Sequence, residues 1–414
     1  MREHGGGAAV ADVVRRPAGP SARPGPAAPV LVLDGDQRSA LAVTRSLGRR
    51  GVPVVVADEQ TTTLAGSSRY CRAQVALPSP SRSPAAFVAA LAAEVQRRGI
   101  GVVLPAGEVT MELVLGNRQA LEPAVVPFGS LEAFAALTDK SRLAALAARL
   151  GVRAPATCCA RGRTELEAAL EAARFPLVLK PHRSRVLHAG QWRPATVRYA
   201  RSRAEALRLW SEDPLLREHP VLVQAHVAGE ARGLSCLYDR GRCVAAFAHR
   251  RVREKPPQGG VSVLSESVPV GAAMRQAATR VLDAVGWHGV AMVEFKVAPD
   301  GTPHLIEVNA RFWGSLQLAV DAGVDFPWLL YRVATGAAPE APVTYRVGVR
   351  NRWLLGDLDH LYLTLRGAAA AGAKLRTLLR FLAPPGAPTR HEVLRWDDVG
   401  PGWYELGRYL GRGR

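Results

Sequence analysis

The sequence is poor in lysine and in aromatic residues, and it contains no long apolar run. Only five of its 54 basic residues are lysines, aromatic residues make up 6%, and no basic–aromatic stacking motif is present. The arginines are spread along the whole chain, so the net charge of +18 indicates a composition bias rather than a nucleic-acid-binding stripe. No apolar run reaches the roughly 18 residues that a membrane-spanning helix needs. We therefore expect neither nucleic acid nor membrane as a partner, and the positive charge suits small acidic ligands.

Cysteine is also scarce. The five cysteines are an odd number without Cys-x-x-Cys spacing, so neither a zinc site nor a disulfide framework is expected. Free thiols fit a reducing compartment, which predicts a cytoplasmic protein. Residues 1–28 contain mainly Gly, Ala, Pro and Arg without a compact apolar segment, which predicts a disordered tail rather than a secretory signal.

Three apolar runs in the first part of the chain predict buried strands of a parallel sheet. VLVLDG (30–35) is followed by a helical pattern and by GVPVVVAD (51–58), and a further helix leads to GVVLPAG (101–107). Strands and helices alternating with short connections predict a Rossmann-like N-terminal domain over 29–127. The turn DGDQRSA lacks the GxGxxG pattern, so we expect a structural domain rather than a dinucleotide site.

The rest of the chain predicts two further modules and an extension. A helical stretch at 130–151 opens a small α+β region over 128–225, and several strands within 226–340 predict an antiparallel-sheet domain. Residues 341–414 contain amphipathic helix-like pieces to which the sequence assigns no chemistry. With 48% hydrophobic residues in 414, the chain is expected to fold into α/β and α+β modules.

The segment GVAMVEFKVAPDGTPHLIEVNARFWGS (289–315) carries the clearest chemistry. Glu294 lies in an apolar strand, while Glu307 and Asn309 lie in a second strand, where alternate residues share a face. The Pro-Asp-Gly turn makes the two strands antiparallel neighbours, so Glu294 can face Glu307. Adjacent buried carboxylates need a compensating cation, and Mg²⁺ prefers oxygen ligands together with substrate phosphates. Arg311 continues the alternation, and its planar guanidinium suits a carboxylate or a phosphate.

The sequence EVNARFWGS, followed by AVDAGVDFP, resembles the ATP-grasp superfamily and in particular its bacterial carboxylate–amine ligases. More distantly it resembles biotin carboxylase and carbamoyl-phosphate synthetase. The resemblance implies a Rossmann-like N-terminal domain, a small lid subdomain and an antiparallel-sheet domain that binds metal and phosphates. It further implies that Glu294, Glu307 and Asn309 bind Mg²⁺, with Mn²⁺ as an alternative. Arg311 would hold the carboxylate undergoing phosphorylation, or the acyl phosphate that it becomes.

Two of the five lysines match the ATP-binding lysines of the superfamily. Lys140 lies in TDK (138–140) and Lys180 lies in LVLKP (177–181). A compact ammonium can bridge phosphate oxygens, whereas an arginine would impose its own forked geometry. In a chain with so little lysine, the resemblance therefore implies that both residues bind ATP.

The segment VLVQAHVAGE (221–230) resembles the hinge at which the superfamily binds adenine. By this comparison Gln224 would contact the exocyclic amine of the base. Ala225 and Val227 would supply main-chain contacts, and Glu230 would accept hydrogen bonds from the ribose hydroxyls. Related sequences often carry Glu where Ala225 stands, so side-chain recognition at that position is not expected.

Two loops complete the predicted site. The phosphate-covering loop after Lys180 has the sequence PHRSRVLHAGQWRPA and is poor in glycine and rich in arginine. We expect Ser184 and the arginines beside it to contact the nucleotide in place of a glycine-rich cradle. The basic loop HRRVREKPPQGGVSVLSES (249–267) predicts a substrate-selecting lid in which Arg250 and Arg253 bind anions. Arg253, Asn309 and Arg311 form the predicted catalytic set.

The resemblance implies an ATP- and Mg²⁺-dependent ligase. A substrate carboxylate would be phosphorylated to an acyl phosphate, and an amine would displace phosphate to form an amide. Two alternatives stay open: another ATP-grasp chemistry, such as carboxylation through carboxyphosphate, and a nucleotide-binding protein with weak catalysis. The expected partners are small-molecule carboxylates and amines, and a homodimer is an open option.

Overall fold

The computed structural model describes residues 28–183, 185–188, 191–195, 197–257, 259–340, 344–367, 370–382 and 389–411. The tail predicted over 1–28 lies outside these ranges apart from its last residue. None of the helices in the described ranges combines the length and the hydrophobicity that a bilayer crossing requires. All five cysteines are free thiols, as expected.

The N-terminal module is a four-stranded parallel sheet covered by helices. The strands have the order β3-β2-β1-β4, and their bounds are β1 (Val30–Leu33), β2 (Val54–Asp58), β3 (Ala73–Ala76) and β4 (Val102–Leu104). The helices are α1 (Arg38–Gly48), α2 (Pro84–Arg98) and α3 (Glu108–Gly116), with a 3₁₀ turn at Arg118–Leu121. β1 and β4 are apolar and fully buried, as parallel strands covered on both faces must be. The three predicted strands are confirmed, and β3 is an addition.

The second module is built on a four-stranded antiparallel sheet. Its helices are α4 (Leu131–Thr138), α5 (Lys140–Arg149), α6 (Arg163–Glu171), α7 (Arg203–Glu212) and α8 (Pro214–Glu218). Its strands are β5 (Thr157–Ala160), β6 (Leu177–Pro181), β7 (Arg185–His188), β8 (Gln191–Pro194), β9 (Arg198–Ala200) and β10 (Val221–Ala225). The sheet order is β5-β10-β6-β9, and β7 pairs with β8 in a separate hairpin.

The helical stretch predicted at 130–151 is interrupted at Asp139. The carboxylate of Asp139 accepts hydrogen bonds from the backbone N–H groups of Ser141 and Arg142, at 2.9 and 3.0 Å. This is an N-cap, which starts a new helix because it satisfies donors that a helix end leaves unpaired. Lys140 is consequently the first residue of α5 rather than an interior residue of one long helix.

The third module is a seven-stranded sheet with the order β15-β14-β11-β12-β13-β16-β17. Its first five strands are β11 (Glu230–Asp239), β12 (Arg242–Lys255), β13 (Val261–Val268), β14 (Gly289–Val297) and β15 (Pro303–Asn309). Three helices accompany them: α9 (Ala272–Ala284), α10 (Leu316–Ala322) and α11 (Phe326–Ala334). One continuous apolar core joins this sheet to the N-terminal module and includes the buried residues of α4 and α5, whereas the rest of the second module has a core of its own.

The C-terminal segment extends the third module. Its elements are β16 (Arg350–Arg352), α12 (Leu354–Arg366), α13 (Ala371–Leu382), β17 (Thr389–His391) and α14 (Gly400–Gly411). β16 pairs antiparallel with β13, and β17 pairs parallel with β16. A buried ion pair between Arg45 of α1 and Asp398 (2.7 Å) fastens the segment to the N-terminal module. The segment is therefore an integral part of the fold and meets both larger modules.

Candidate functional site

Two carboxylates face each other at the end of the large sheet. In the antiparallel pair β14–β15, Glu294 is directly opposite Glu307, and Met292 is opposite Asn309. The Asn309 side-chain amide donates a hydrogen bond to Glu294 Oε1 (3.0 Å). The Arg311 guanidinium donates in turn to Asn309 Oδ1 (3.1 Å). The predicted juxtaposition of these side chains is confirmed.

The two carboxylates are in different electrostatic environments. Burial raises the pKa of Glu294, and Arg251, which forms an ion pair with it, only partly offsets that effect. Burial also tends to raise the pKa of Glu307, but Lys140 and Lys180 outweigh it, so the net pKa lies below the usual value. Lys140 Nζ lies 3.8 Å from Glu307 Oε2. Glu307 is thus held as an anion, whereas Glu294 depends on the cations around it.

Lys180 reaches the site from β6, where its side chain is almost entirely buried. Burial lowers its pKa to about 8. Its Nζ donates a hydrogen bond to Gln224 Oε1 (3.0 Å), and the Gln224 amide donates to Thr157 Oγ1 (2.9 Å). The Gln224 side chain is therefore engaged in positioning Lys180.

These side chains line one cavity of about 470 Å³ between the second and third modules. Nine of the residues singled out from the sequence line it: Lys140, Lys180, Gln224, Ala225, Val227, Glu294, Glu307, Asn309 and Arg311. Among the described residues of its wall are seven cationic side chains, from Arg38, Lys140, Lys180, Arg183, Arg251, Lys296 and Arg311, but only three carboxylates, from Glu254, Glu294 and Glu307. Such an excess of positive charge suits a polyanionic ligand.

The donor set at the carboxylate pair fits a hard divalent cation. Within the described ranges, no three His, Cys, Asp or Glu side chains are grouped so that they could hold a metal ion by themselves. Glu294, Glu307 and Asn309 offer two carboxylates and an amide oxygen. Mg²⁺ is commonly held by one or two carboxylates together with waters and substrate phosphates. The site therefore fits Mg²⁺ whose coordination is completed by waters or by the oxygens of a bound ligand, not a cage made by the protein alone.

Comparisons with known proteins agree with this arrangement. Residues 217–356 match the family described as ATP-grasp in the biosynthetic pathway with Ter operon. The L-amino acid ligase from Bacillus licheniformis is 18% identical, with a TM-score of 0.58 over 74% of each chain. N5-carboxyaminoimidazole synthetase from Staphylococcus aureus, complexed with ADP, is 12% identical with a TM-score of 0.62, over 78% of this chain and 81% of that one. The fold is ATP-grasp.

A third solved structure has the same ATP-grasp fold. Biotin carboxylase from Campylobacter jejuni, in a complex with β-γ-ATP, is 14% identical with a TM-score of 0.60, over 78% of this chain and 74% of that one. No curated protein is detectably similar in sequence. The resemblance to the ATP-grasp superfamily and the expected fold class are confirmed. At such low identities the likeness concerns the fold alone.

Arg253 is the clearest departure from the expected ATP-grasp site. Its guanidinium donates to Asp357 Oδ2 (2.6 Å) in α12, and it does not line the cavity. The register of β12 shifts on both sides of Arg253, so simple alternation along the strand fails there. Arg251 faces the cavity instead and pairs with Glu294. The structure therefore does not bring Arg253 together with the other two predicted catalytic residues, Asn309 and Arg311.

Glu230 and Arg250 also lie outside the cavity lining. Glu230 accepts hydrogen bonds from Arg232 (2.5 Å) and Arg250 (3.1 Å). Arg250 also donates to Glu266 (3.0 Å). These side chains neutralise one another on the sheet, so the structure brings neither Glu230 to a ribose subsite nor Arg250 to an anion site.

The remaining predicted contacts are at the hinge and in the phosphate loop. The backbone N–H groups of Ala225 and His226 already donate to Ala156 (2.8 Å) and Pro176 (3.2 Å). Ser184 lies outside the described residues. Its neighbour Arg183 lines the cavity, with Nη1 3.4 Å from a Glu112 carboxylate oxygen. Arginine is therefore present where the glycine-poor loop begins.

Arg251 and Arg38 are among the cavity residues that were not found from the sequence. Arg251 stands in a basic run with Arg250 and Arg253, and nothing in that run indicates which arginine faces the cavity. Arg38, the first residue of α1, follows the DGDQ turn at the carboxyl end of β1. Ligands of open α/β sheets commonly bind beyond the carboxyl ends of strands, and that signal could have identified Arg38.

Proposed function

We propose that this protein is an ATP- and Mg²⁺-dependent ligase that joins a carboxylate to an amine through an acyl phosphate. One observation carries the proposal: Glu294, Glu307, Asn309 and Arg311 face Lys140 and Lys180 across a single cavity. Binding a nucleoside triphosphate together with its metal requires oxygen ligands for a divalent cation and compact cations for the phosphate oxygens.

Glu294, Glu307 and Asn309 would hold the metal. When bound, Mg²⁺ supplies Lewis-acid stabilisation and a template for the phosphate oxygens. Lys140 and Lys180 more than offset the effect of burial on the pKa of Glu307. Glu307 therefore stays ionised at neutral pH and suits this role.

The two lysines would neutralise phosphate oxygens. Lys180 Nζ is oriented by Gln224 (3.0 Å), and with a pKa of about 8 it is mainly protonated at neutral pH. Lys140 lies at the start of α5, where helix N–H groups add positive potential. Preorganised positive groups of this kind stabilise the charge that spreads over a transferring phosphoryl group.

Arg311 would hold the carboxylate that attacks the phosphoryl group. Its Nη1 donates to the Phe312 carbonyl (2.7 Å) and its Nη2 to Asn309 (3.1 Å), so the guanidinium is fixed in orientation beside the metal ligands. An arginine held in this way can orient a carboxylate and neutralise it.

The amide product is supported by the likeness to the L-amino acid ligase, but fold alone does not select a chemistry. The test is a screen of paired amino acids and small acids for ADP release, with mass analysis of products and with bicarbonate added or omitted. We expect ADP release that requires one acid and one amine and yields their amide. ADP release that depends on bicarbonate would favour carboxylation, and tight ATP binding without turnover in any mixture would contradict a ligase.

A further inference from the structure

Arg38 enters the cavity from the N-terminal module, whereas every other candidate site residue belongs to the second or third module. It is the first residue of α1, and its side chain is only 13% exposed. A Cβ atom placed on Gly314 would lie 3.2 Å from Arg38 Nη2. The guanidinium therefore lies against the backbone at Gly314, on the same cavity wall as Arg311 and Ser315.

The C-terminal segment holds this guanidinium in place. Arg38 Nη1 donates to the buried carboxylate of Glu392, and the guanidinium carbon lies 4.0 Å from the ring centroid of Trp353. The Trp353 indole N–H donates to Glu405 Oε1 (2.6 Å), which fixes the ring. The Glu392 backbone N–H donates to the Arg352 carbonyl (2.9 Å), so Glu392 is anchored to β16. Contacts with the segment thus determine where Arg38 points.

A simple salt bridge between two modules would not require the Trp353 ring against the guanidinium. Glu392 engages Nη1, and among the described residues it is the only acceptor of a hydrogen bond from Arg38. The Trp353 face covers the flat side of the guanidinium, which is favourable for a cation and leaves the in-plane N–H groups to other acceptors. In-plane donors of a fixed guanidinium match the geometry of a carboxylate.

We propose that Arg38 is the centre of a second carboxylate subsite, in which Trp353 and Glu392 are positioning residues. This inference rests on the proposed ligase function. Arg311 would take the carboxylate that is phosphorylated, so Arg38 would bind a carboxylate on the substrate that supplies the amine. The amine substrate would accordingly belong to the amino-acid class, and the C-terminal segment would act in its recognition.

The test compares amino acids with their amides, which keep the amine but lack the carboxylate. Protein saturated with Mg²⁺ and β,γ-methylene-ATP is titrated calorimetrically with each of the common α-amino acids and with each corresponding amide. We expect at least one amino acid to bind roughly tenfold or more tightly than its amide, because a charge-assisted pair is lost in the amide. In Arg38→Gln that preference should disappear, and the affinity for the nucleotide should change by a smaller factor than the affinity for the amino acid.

The positioning role has its own variants. Trp353→Ala should weaken amino-acid binding without changing nucleotide affinity, and Trp353→Phe should restore it because a ring face is kept. Trp396→Ala is the matched control, since Trp396 lies in the same segment but is 95% exposed. It should leave amino-acid affinity unchanged.

Three results would overturn the proposal. One is that wild-type protein binds no amino acid more tightly than its amide. Another is that Arg38→Gln lowers the melting temperature but keeps the preference for the amino acid, which would make Arg38 purely structural. The third is that Trp353→Phe fails to restore binding while the protein remains folded. Failure of the proposed ligase function would show itself differently, as absence of nucleotide binding by wild-type protein. The subsite can still be tested in that case, because amino acids and amides can also be compared without nucleotide.

Discussion

Glu294 and Glu307 lie directly opposite each other on β14 and β15, yet each faces a different cation. Arg251 forms an ion pair with Glu294, whereas Lys140 lies 3.8 Å from Glu307. Two partly buried carboxylates so close together would repel each other without these partners. The four side chains come from three different parts of the chain and form one charged cluster, on which the proposed metal and nucleotide chemistry depends.

Replacing Glu307 should abolish activity without unfolding the protein. Glu307→Gln keeps the side-chain shape but removes a negative charge from the proposed metal site, so we expect ATP-dependent turnover to fall roughly 100-fold or more. Turnover is measured as ADP release with the substrates found in the screen. Glu340→Gln is the matched control, because the Glu340 side chain is 83% exposed. Full turnover in Glu307→Gln would eliminate the metal assignment.

Replacing Lys180 should weaken nucleotide binding. Lys180→Met keeps much of the buried side-chain volume but removes the cation, so the affinity for Mg–ATP should fall roughly tenfold or more. Calorimetric titration measures that affinity directly. Lys374→Met in α13, outside the cavity lining, should bind as wild type does. Equal affinities of Lys180→Met and wild type would remove Lys180 from the site.

Arg251 and Arg253 should behave differently when each is changed to alanine. Arg251→Ala removes the partner of Glu294, so turnover should be lost. Arg253→Ala removes one of two arginines from the buried carboxylate of Asp357, the other being Arg352. It should cost about 3 kcal/mol of unfolding free energy and leave nucleotide affinity unchanged. Denaturant unfolding and calorimetry on both variants separate these effects, and loss of nucleotide binding in Arg253→Ala would restore it to the site.

Stability should fall on acidification through His249. Burial, followed by the nearby Arg251, lowers the pKa of His249 to about 3. The unfolded chain takes up the proton near pH 6.5 and the folded chain does not, so stability is complete above pH 6.5 and is lost as pH falls toward 3. The expected slope is about 1.4 kcal/mol per pH unit. In denaturant unfolding at pH 7.5 and pH 5, His249→Gln should lose less stability on acidification than wild type, and an equal loss would contradict this contribution.

The sequence contains enough information to predict the local part of the site. Glu294, Glu307 and Asn309 could be placed together because the strands alternate and a short Pro-Asp-Gly turn sets their pairing. The apolar runs at 30–35 and 101–107 likewise predict buried parallel strands. In each case, the residues that interact are separated by a short stretch with a regular pattern.

Other features depend on local irregularities and long-range contacts that no sequence pattern predicts. The register shifts around Arg253 reverse its side of the strand. Asp139 interrupts a helical pattern by capping the next helix. Arg38 and Glu392 meet although they are 354 residues apart, because the C-terminal segment joins the large sheet. The role of that segment could be inferred only from these long-range contacts.

The most direct test of the account is calorimetric titration of ATP into purified protein, with and without Mg²⁺, alongside a thermal-shift comparison with duplex DNA. The account predicts saturable ATP binding that Mg²⁺ strengthens, and a thermal shift with Mg–ATP larger than any shift with DNA. Absence of ATP binding, or a larger shift with DNA than with Mg–ATP, would contradict it.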